Sequence, residues 1–517
     1  MKKLQKLLFI VVFLSVYIMS MNNTVVKAQP IQIEQQQVER VVKFVEDRMK
    51  KAKIPGAAIV IVQGDKLLYK GGFGFRDWEA EQVVDTDTYF ELGSTTKAFT
   101  ALAVLKLEQE GKLQYRDPVT MYIPEFNMYF NGAKADITLE QLLNHTSGIA
   151  FKSIDKIPVS TENDALEKTV QMLVGQELQS APGSEFSYAT INYDILGLII
   201  QRVTGQSYEA YMTDHILRPL GMNSTYLFES DVPQNKASKG YKMFFLKPRS
   251  YDAPIYRGNT PAGYILTNAE EMEKWLKFQL GFLAEGQIDN SLILKSHQFD
   301  LAHVSAGEDW MYRDGWYIDD NGGRVYHGGN NPNFSSAIFL QPGDGLGVAL
   351  LTNMNSDYTY STAKDILKIL NGQNVDSVTS DIYSVIDKIS MVVCIIMLVV
   401  IIAVLIAKWR FILQIFNGQR GFVTPKFITS TKIVIYLLLL IVIEWGIYHI
   451  PQFAFNGVGW DFVSVWAPFT TLMAAAELGG GIGLYFLYRI AGLFFRSGHS
   501  ASNQVKTIRA GGGTWKM

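Results

Sequence analysis

Glu91-Leu-Gly-Ser-Thr-Thr-Lys-Ala-Phe-Thr100 is the stretch on which the reading of this chain turns. A glycine gives way to a helical run, and Ser94 and Lys97 stand three residues apart at its start. Residues i and i+3 share one face of a helix, so the hydroxyl and the amine can reach each other. A partly desolvated lysine drops its pKa and can take a serine's proton. The backbone N–H groups of a helix start are free to stabilise negative charge. One short segment therefore offers a nucleophile, a base and part of an oxyanion hole.

The Ser-x-x-Lys spacing does not discriminate by itself, because it recurs at Ser153/Lys156 and Ser361/Lys364. Ser153 falls in a polar, loop-like stretch. Ser361 opens a helical run and reads as an N-cap or first-turn residue. What surrounds Ser94 must separate it from these two.

Working outward, Val38, Val41, Val42, Val45 and Met49 recur at helical spacing and predict an amphipathic helix. Two strand-like runs follow at 57–62 and 67–73, joined by Gly64-Asp65. The region from 95 to about 280 is mostly helical pattern broken by Pro and Gly loops. Runs at 335–341 and 346–353 flank Pro342-Gly-Asp-Gly345, a hairpin signal, and a last helix covers about 358–370. Strands at both ends with helices between them predict an α+β fold, an antiparallel sheet flanked by helices with an inserted helical lobe.

Two further segments carry a resemblance. Phe186-Ser-Tyr-Ala-Thr-Ile-Asn-Tyr-Asp-Ile-Leu-Gly197 resembles the tyrosine motif of class C β-lactamases and low-molecular-mass penicillin-binding proteins. Tyr326-His-Gly-Gly-Asn330 resembles their third motif in its His-x-Gly form. Ile54-Pro-Gly56, Asp117-Pro118, Leu142-Leu-Asn-His-Thr-Ser-Gly-Ile149 and Pro261-Ala-Gly-Tyr-Ile-Leu-Thr267 agree with it, and the likeness spans 38–370. The resemblance implies the β-lactamase/DD-peptidase fold and the following roles. Ser94 is the acylated nucleophile, and Lys97 helps move its proton. Tyr188 is the general acid/base, as a tyrosinate stabilised by the lysine. His327 binds the substrate's polar end or tunes Tyr188. The N–H groups of Ser94 and Asn330, beside Gly329, form the oxyanion hole. Family members often read Tyr-x-Asn where this chain has Thr190; a threonine hydroxyl offers less than an amide, and Asn192 replaces it only if the local turn differs. No cofactor is implied. His145 reads as structural, and His215, His297 and His303 carry no signal.

Net charge is −2, which argues against a nucleic-acid partner, and a single cysteine, Cys394, leaves no disulfide framework or Cys/His metal cluster. Charged residues are only 19% and apolar ones 48%, which points to membrane segments. Runs at 389–407, 433–450 and 463–488 are long enough to span a bilayer. The loop between the first two holds Lys408, Arg410, Arg420, Lys426 and Lys432 without an acid. The loop 451–464 has Asp461 as its only charge, and the tail holds Arg489, Arg496, Lys506, Arg509 and Lys516. The positive-inside rule then places the C-terminus in the cytoplasm and the hydrolase-like domain outside. Glu444 and Glu477 fall inside these spans, where acids are costly unless paired or functional; anchoring is still the expected role of so small a bundle. At the N-terminus, Lys2, Lys3 and Lys6 precede the apolar run 7–19 and the small-residue site Val26-Lys27-Ala28, the pattern of a secretory signal peptide.

The expected organisation is a signal peptide at 1–28, a hydrolase domain at 35–372 and a linker at 373–388. Three transmembrane helices then fill 389–488, and a basic cytoplasmic tail ends the chain at 489–517. The expected activity is acyl transfer through Ser94 on D-alanyl amides or esters of the cell envelope, such as peptidoglycan stems or teichoic-acid D-alanyl esters. The alternatives are a β-lactamase and a non-hydrolytic penicillin-binding sensor.

Overall fold

Val38, Val41, Val45 and Met49 are all buried along one face of α1 (Gln35–Ala52), in the computed structural model, which describes residues 33–282, 288–299, 310–319, 323–375 and 381–497. The signal-peptide region 1–28, His303 and most of the basic tail lie outside the described residues. The apolar face of α1 packs against a helix near the domain's far end (Asp357–Leu370). A buried Arg48–Asp365 ion pair of 3.0 Å ties the two together.

Among the described residues the main sheet has eight antiparallel strands. In chain order they are β1 (Gly56–Gln63), β2 (Lys66–Asp77), β3 (Gln82–Val83), β4 (Trp310–Arg313), β5 (Trp316–Asp319), β6 (Val325–Asn330), β7 (Ser335–Gln341) and β8 (Leu346–Thr352). Their spatial order is β4-β5-β6-β7-β8-β1-β2-β3. β1 and β8 pair from Ala57↔Thr352 to Gln63↔Leu346, so the first and last strands close the sheet side by side. Both are apolar on both faces, because helices cover the sheet from each side. On one side lie α1 and the helix Asp357–Leu370; on the other lies the lobe inserted between β3 and β4.

Two helices of that lobe position the site. α2 (Lys97–Gln109) is buried on nearly every face, as its almost unbroken apolar sequence requires. α3 (Ile191–Thr204) packs against it and ends in the αL glycine Gly205. We number the remaining long helices onward: α4 (Asp357–Leu370), α5 (Ile382–Phe416), α6 (Phe427–Ala454), a short α7 (Trp460–Trp466) and α8 (Phe469–Phe494).

α5, α6 and α8 are each long and apolar enough to cross a membrane. Their bounds correct the expected ones. The linker at 373–388 is shorter than expected, because the Asp381 side chain accepts the Ser384 N–H and starts α5 at Ile382. The expected third span, 463–488, is broken: 463–466 belongs to α7, and Pro468 enforces an extended Ala467 before α8 begins. α8 then runs past 489 to Phe494. Beyond it Phe495–Ser497 pairs with Arg420–Phe422.

The hydrolase-like domain sits directly on one end of this bundle. The tip of the hairpin formed by Tyr241–Phe244 and Lys247–Ser250 reaches it, and the Leu246 N–H donates to buried Asp387 at 2.6 Å. Phe469 meets Phe244 and Tyr251 edge to face. Glu444 of α6 lies against Gly479 of α8, where the missing side chain leaves room for its carboxylate.

Candidate active site

Ser94 lies in a single 3₁₀ turn, Gly93–Thr96, that runs straight into α2. Gly93 has φ +56°, and a Cβ there would stand 2.5 Å from the Asn330 nitrogen. Only glycine lets the turn close in that left-handed form against β6. Thr95 bonds Leu92 O and Ser336 Oγ, both at 2.9 Å, and fixes the turn to the sheet.

Lys97 is fully buried beneath Ser94. Its Nζ is 3.1 Å from Ser94 Oγ, 3.0 Å from Thr190 Oγ1 and 2.8 Å from Ala262 O. Burial lowers its pKa to about 7, against the opposing pull of Asp194. In the neutral amine, two N–H groups serve Thr190 and Ala262 while the lone pair faces the Ser94 O–H. Asp194 lies one turn along α3 from Thr190, and burial pushes its carboxyl well above the usual range. The Asn259 amide donates to both of its oxygens, at 2.9 and 3.0 Å.

Tyr188 stands across from Lys97, with the lysine nitrogen 5.2 Å from its ring centroid. Its hydroxyl is buried without a hydrogen-bond partner among the protein atoms. Burial raises the phenol's pKa, and the neighbouring Ser94 hydroxyl offsets only part of this. Burial thus disfavours the charged form of both groups, against the expected tyrosinate, and brings the Lys97 threshold close to neutrality.

His327 faces inward from β6, where burial alternates along the strand. Its Nδ1 is 2.6 Å from Gly328 O, so that nitrogen carries the proton, and Nε2 accepts from Tyr312 Oη at 3.1 Å. Burial, helped by Lys97, lowers its pKa to about 3. A neutral imidazole with both nitrogens engaged supplies no charge to a substrate, but it lies 6.4 Å from the Tyr188 ring. Of the two expected roles, the geometry suits tuning Tyr188.

Gly329 and Asn330 end β6 beside the Ser94 turn, and a Cβ on Gly329 would meet Leu92 O at 2.0 Å. Thr190 is in the site, but its hydroxyl faces Lys97. Asn192 does not reach the cleft. It is buried on another face of α3, where Oδ1 accepts from Ser147 Oγ at 2.9 Å and Nδ2 meets His145 Nδ1 at 3.0 Å. The local turn is helical, so the expected substitution for the absent amide fails. His145 is buried with its ring 4.2 Å from Tyr188, and its pKa is pushed well down by burial. It acts as a packing support behind the tyrosine. The two look-alikes have other partners or none: Ser361 Oγ donates to Tyr358 O, and Ser153 Oγ is buried without a partner.

Ser94, Tyr188, Thr190, His327 and Asn330 line one cleft of about 990 Å³. Sequence reading passed over three groups around it. Asp194 was detectable as the one charged residue in the run 191–200. Asn259 and Tyr312 carried no local signal. Phe462 and Trp466, from α7, also line the cleft.

The beta-lactamase family model matches residues 41–371 of this chain. Protein flp of Staphylococcus aureus (strain MW2) is 33% identical over 441 residues, covering 85% of this chain and 87% of that one. A solved octameric penicillin-binding protein homologue from Pyrococcus abyssi superposes with TM-score 0.57 at 29% identity, over 65% of this chain and 78% of the other. EstCE1, a hydrolase with promiscuous acyltransferase activity, shares the fold at TM-score 0.56 and 20% identity, over 65% and 98% of the two chains.

Proposed function

The chain belongs to the beta-lactamase family, and from that premise we propose an extracytoplasmic, membrane-anchored serine hydrolase that acts on D-alanyl amides or esters of the cell envelope. Neutral Lys97 takes the Ser94 proton as Oγ attacks the acyl carbonyl. The backbone N–H groups of Ser94 and Asn330 hold the oxyanion. Protonated Tyr188 donates to the leaving group and then, as a base, activates the water that releases the acyl group. Tyr188 is reprotonated by that water, and protonated Lys97 returns its proton to Ser94 Oγ as the acyl-enzyme bond breaks, which restores the resting pair. His327 keeps the Tyr188 surroundings neutral through Tyr312.

The observation that carries this reading is the buried Lys97 amine, 3.1 Å from Ser94 Oγ with its pKa near 7. Thr190 supports an ester or amide substrate over a β-lactam, since its hydroxyl is committed to Lys97 and offers no amide to a lactam side chain. The test is intact-mass analysis of the protein treated with a fluorophosphonate, a D-alanyl ester and a penicillin in turn. The expected result is one stable fluorophosphonate adduct on Ser94 and a D-alanyl adduct that turns over. Labelling of Ser94→Ala at the wild-type rate overturns the assignment. A stoichiometric adduct that never turns over makes the protein a sensor instead.

A further inference from the structure

One wall of the catalytic cleft is supplied by the membrane module. α7 lies between two span-length helices, α6 and α8, yet its Phe462 and Trp466 line the same cavity as Ser94. Their rings stack at 5.2 Å and 11°, forming a flat aromatic panel.

This wall is built and pinned. Asp155 belongs to the turn Phe151–Lys156, whose Phe151 and Ile154 also line the cleft. Its carboxylate accepts the N–H groups of Gly459 and Phe462, at 2.8 and 3.1 Å, and so caps the start of α7. Lys242 donates to the carbonyls of Ser464 and Val465, at 3.2 and 2.8 Å, at the other end. The carboxylate at the N-terminus suits the helix dipole, and the Lys242 amine satisfies two carbonyls at the C-terminus. Nothing in simple tethering calls for such an arrangement; a linker would do.

The wall also sits at the level where a bilayer would end. Trp466 precedes Phe469, the first residue of α8, by three residues, a reach of roughly 11 Å at most. Trp445, Tyr448 and Phe453 are exposed near the matching end of α6, and the Trp460 indole N–H donates to Tyr448 O. Such aromatic residues gather at membrane–water boundaries.

The geometry points to a substrate that stays in the membrane: an acyl ester on a lipid head group, entering the cleft past Phe462 and Trp466 while its hydrocarbon chains remain in the bilayer. This inference rests on the acyl-enzyme reading above and narrows its substrate to a lipid-borne ester. The ester C–O bond breaks, the acyl group passes to Ser94 and then to water, and the head-group hydroxyl leaves with the proton.

The test uses the full chain in phosphatidylglycerol nanodiscs with two probes, alanyl-phosphatidylglycerol in the bilayer and alanine methyl ester in solution. Wild type is expected to turn over the lipid ester in a Ser94-dependent manner. Trp466→Ala and Phe462→Ala should lower the ratio of lipid-ester to soluble-ester kcat/KM at least tenfold, and Asp155→Ala should lower it in the same direction. Trp466→Phe, which keeps the aromatic panel, should restore most of the ratio. Fluorophosphonate labelling of Ser94 reports whether each variant is folded. A ratio unchanged within twofold, a loss equal for both probes, or turnover of the soluble ester alone overturns the inference while leaving the hydrolase reading intact. Absence of Ser94-dependent turnover of either probe overturns both.

Discussion

A lysine in water holds its proton up to about pH 10, and a protonated lysine cannot act as a base. At Lys97 burial moves that threshold to about 7. Below it the amine is charged and the Ser94 proton has nowhere to go; above it the lone pair is free. Acylation by a soluble ester should therefore rise with pH through about 7 and level off above it, measured as kcat/KM between pH 5 and 9. A profile flat across that range would remove Lys97 as the base. Tyr188→Phe deletes a hydroxyl with no close hydrogen bond and only the Ser94 hydroxyl beside it, so packing and melting temperature should hold. Turnover should still drop roughly 10²–10⁴-fold, the usual worth of general acid/base assistance. A loss below fivefold would take Tyr188 out of the chemistry. The motif named both residues and the desolvated lysine as the base, but how far burial shifts each group lies beyond it. Residue type does not carry that information; the depth of burial does.

At the scale of elements, the Ser94 turn is held to β6 by a near-contact that tolerates no side chain. Gly93→Ala adds a methyl 2.5 Å from the Asn330 nitrogen in a left-handed conformation, which costs about 1–2 kcal/mol in backbone strain alone. The variant should melt lower and label Ser94 with fluorophosphonate at least tenfold more slowly, because Ser94 and Asn330 move apart. Unchanged labelling would show that this contact does not shape the oxyanion site. α7 makes the complementary case. Asp155→Ala removes its cap, worth about 0.5–2 kcal/mol, and hydrogen exchange at 459–466 should quicken while α8 is unaffected. Helix periodicity and hairpin turns were legible for α1 and for β7–β8. The sequence divides α7 between a loop and the start of a span at 463, since Val-Ser-Val-Trp continues the apolar run and only Pro468 hints at a break.

For the whole molecule, the ends of α5, α6 and α8 divide into two groups. Ile382, Ala454 and Phe469 lie on the side that carries the hydrolase domain, while the Arg420–Phe422 and Phe495–Ser497 pair lies at the other. Lys408, Arg410, Arg420, Lys426 and Arg496 collect toward that second end, against Lys388 at the first, and the positive-inside rule expects cytoplasm at the second. A cysteine at Asn456 should be labelled by an impermeant thiol reagent in intact cells, and one at Gly418 only after permeabilisation. Native Cys394 is buried and should add little background. The reverse pattern would place Ser94 in the cytoplasm and exclude an envelope substrate.

The sequence by itself determined the antiparallel sheet, the helical lobe, the three long apolar helices and the segments that carry Ser94, Lys97, Tyr188 and His327. Period, turn chemistry and motif spacing are local properties, and a linear string records them. Only the tertiary structure decided how deeply Lys97 is buried, that Asn192 turns away into the core, and that α7 walls the cleft. These depend on what surrounds a side chain in three dimensions: desolvation, the face of a helix that packing selects, and contacts such as Asp155 to Phe462 between residues 307 positions apart.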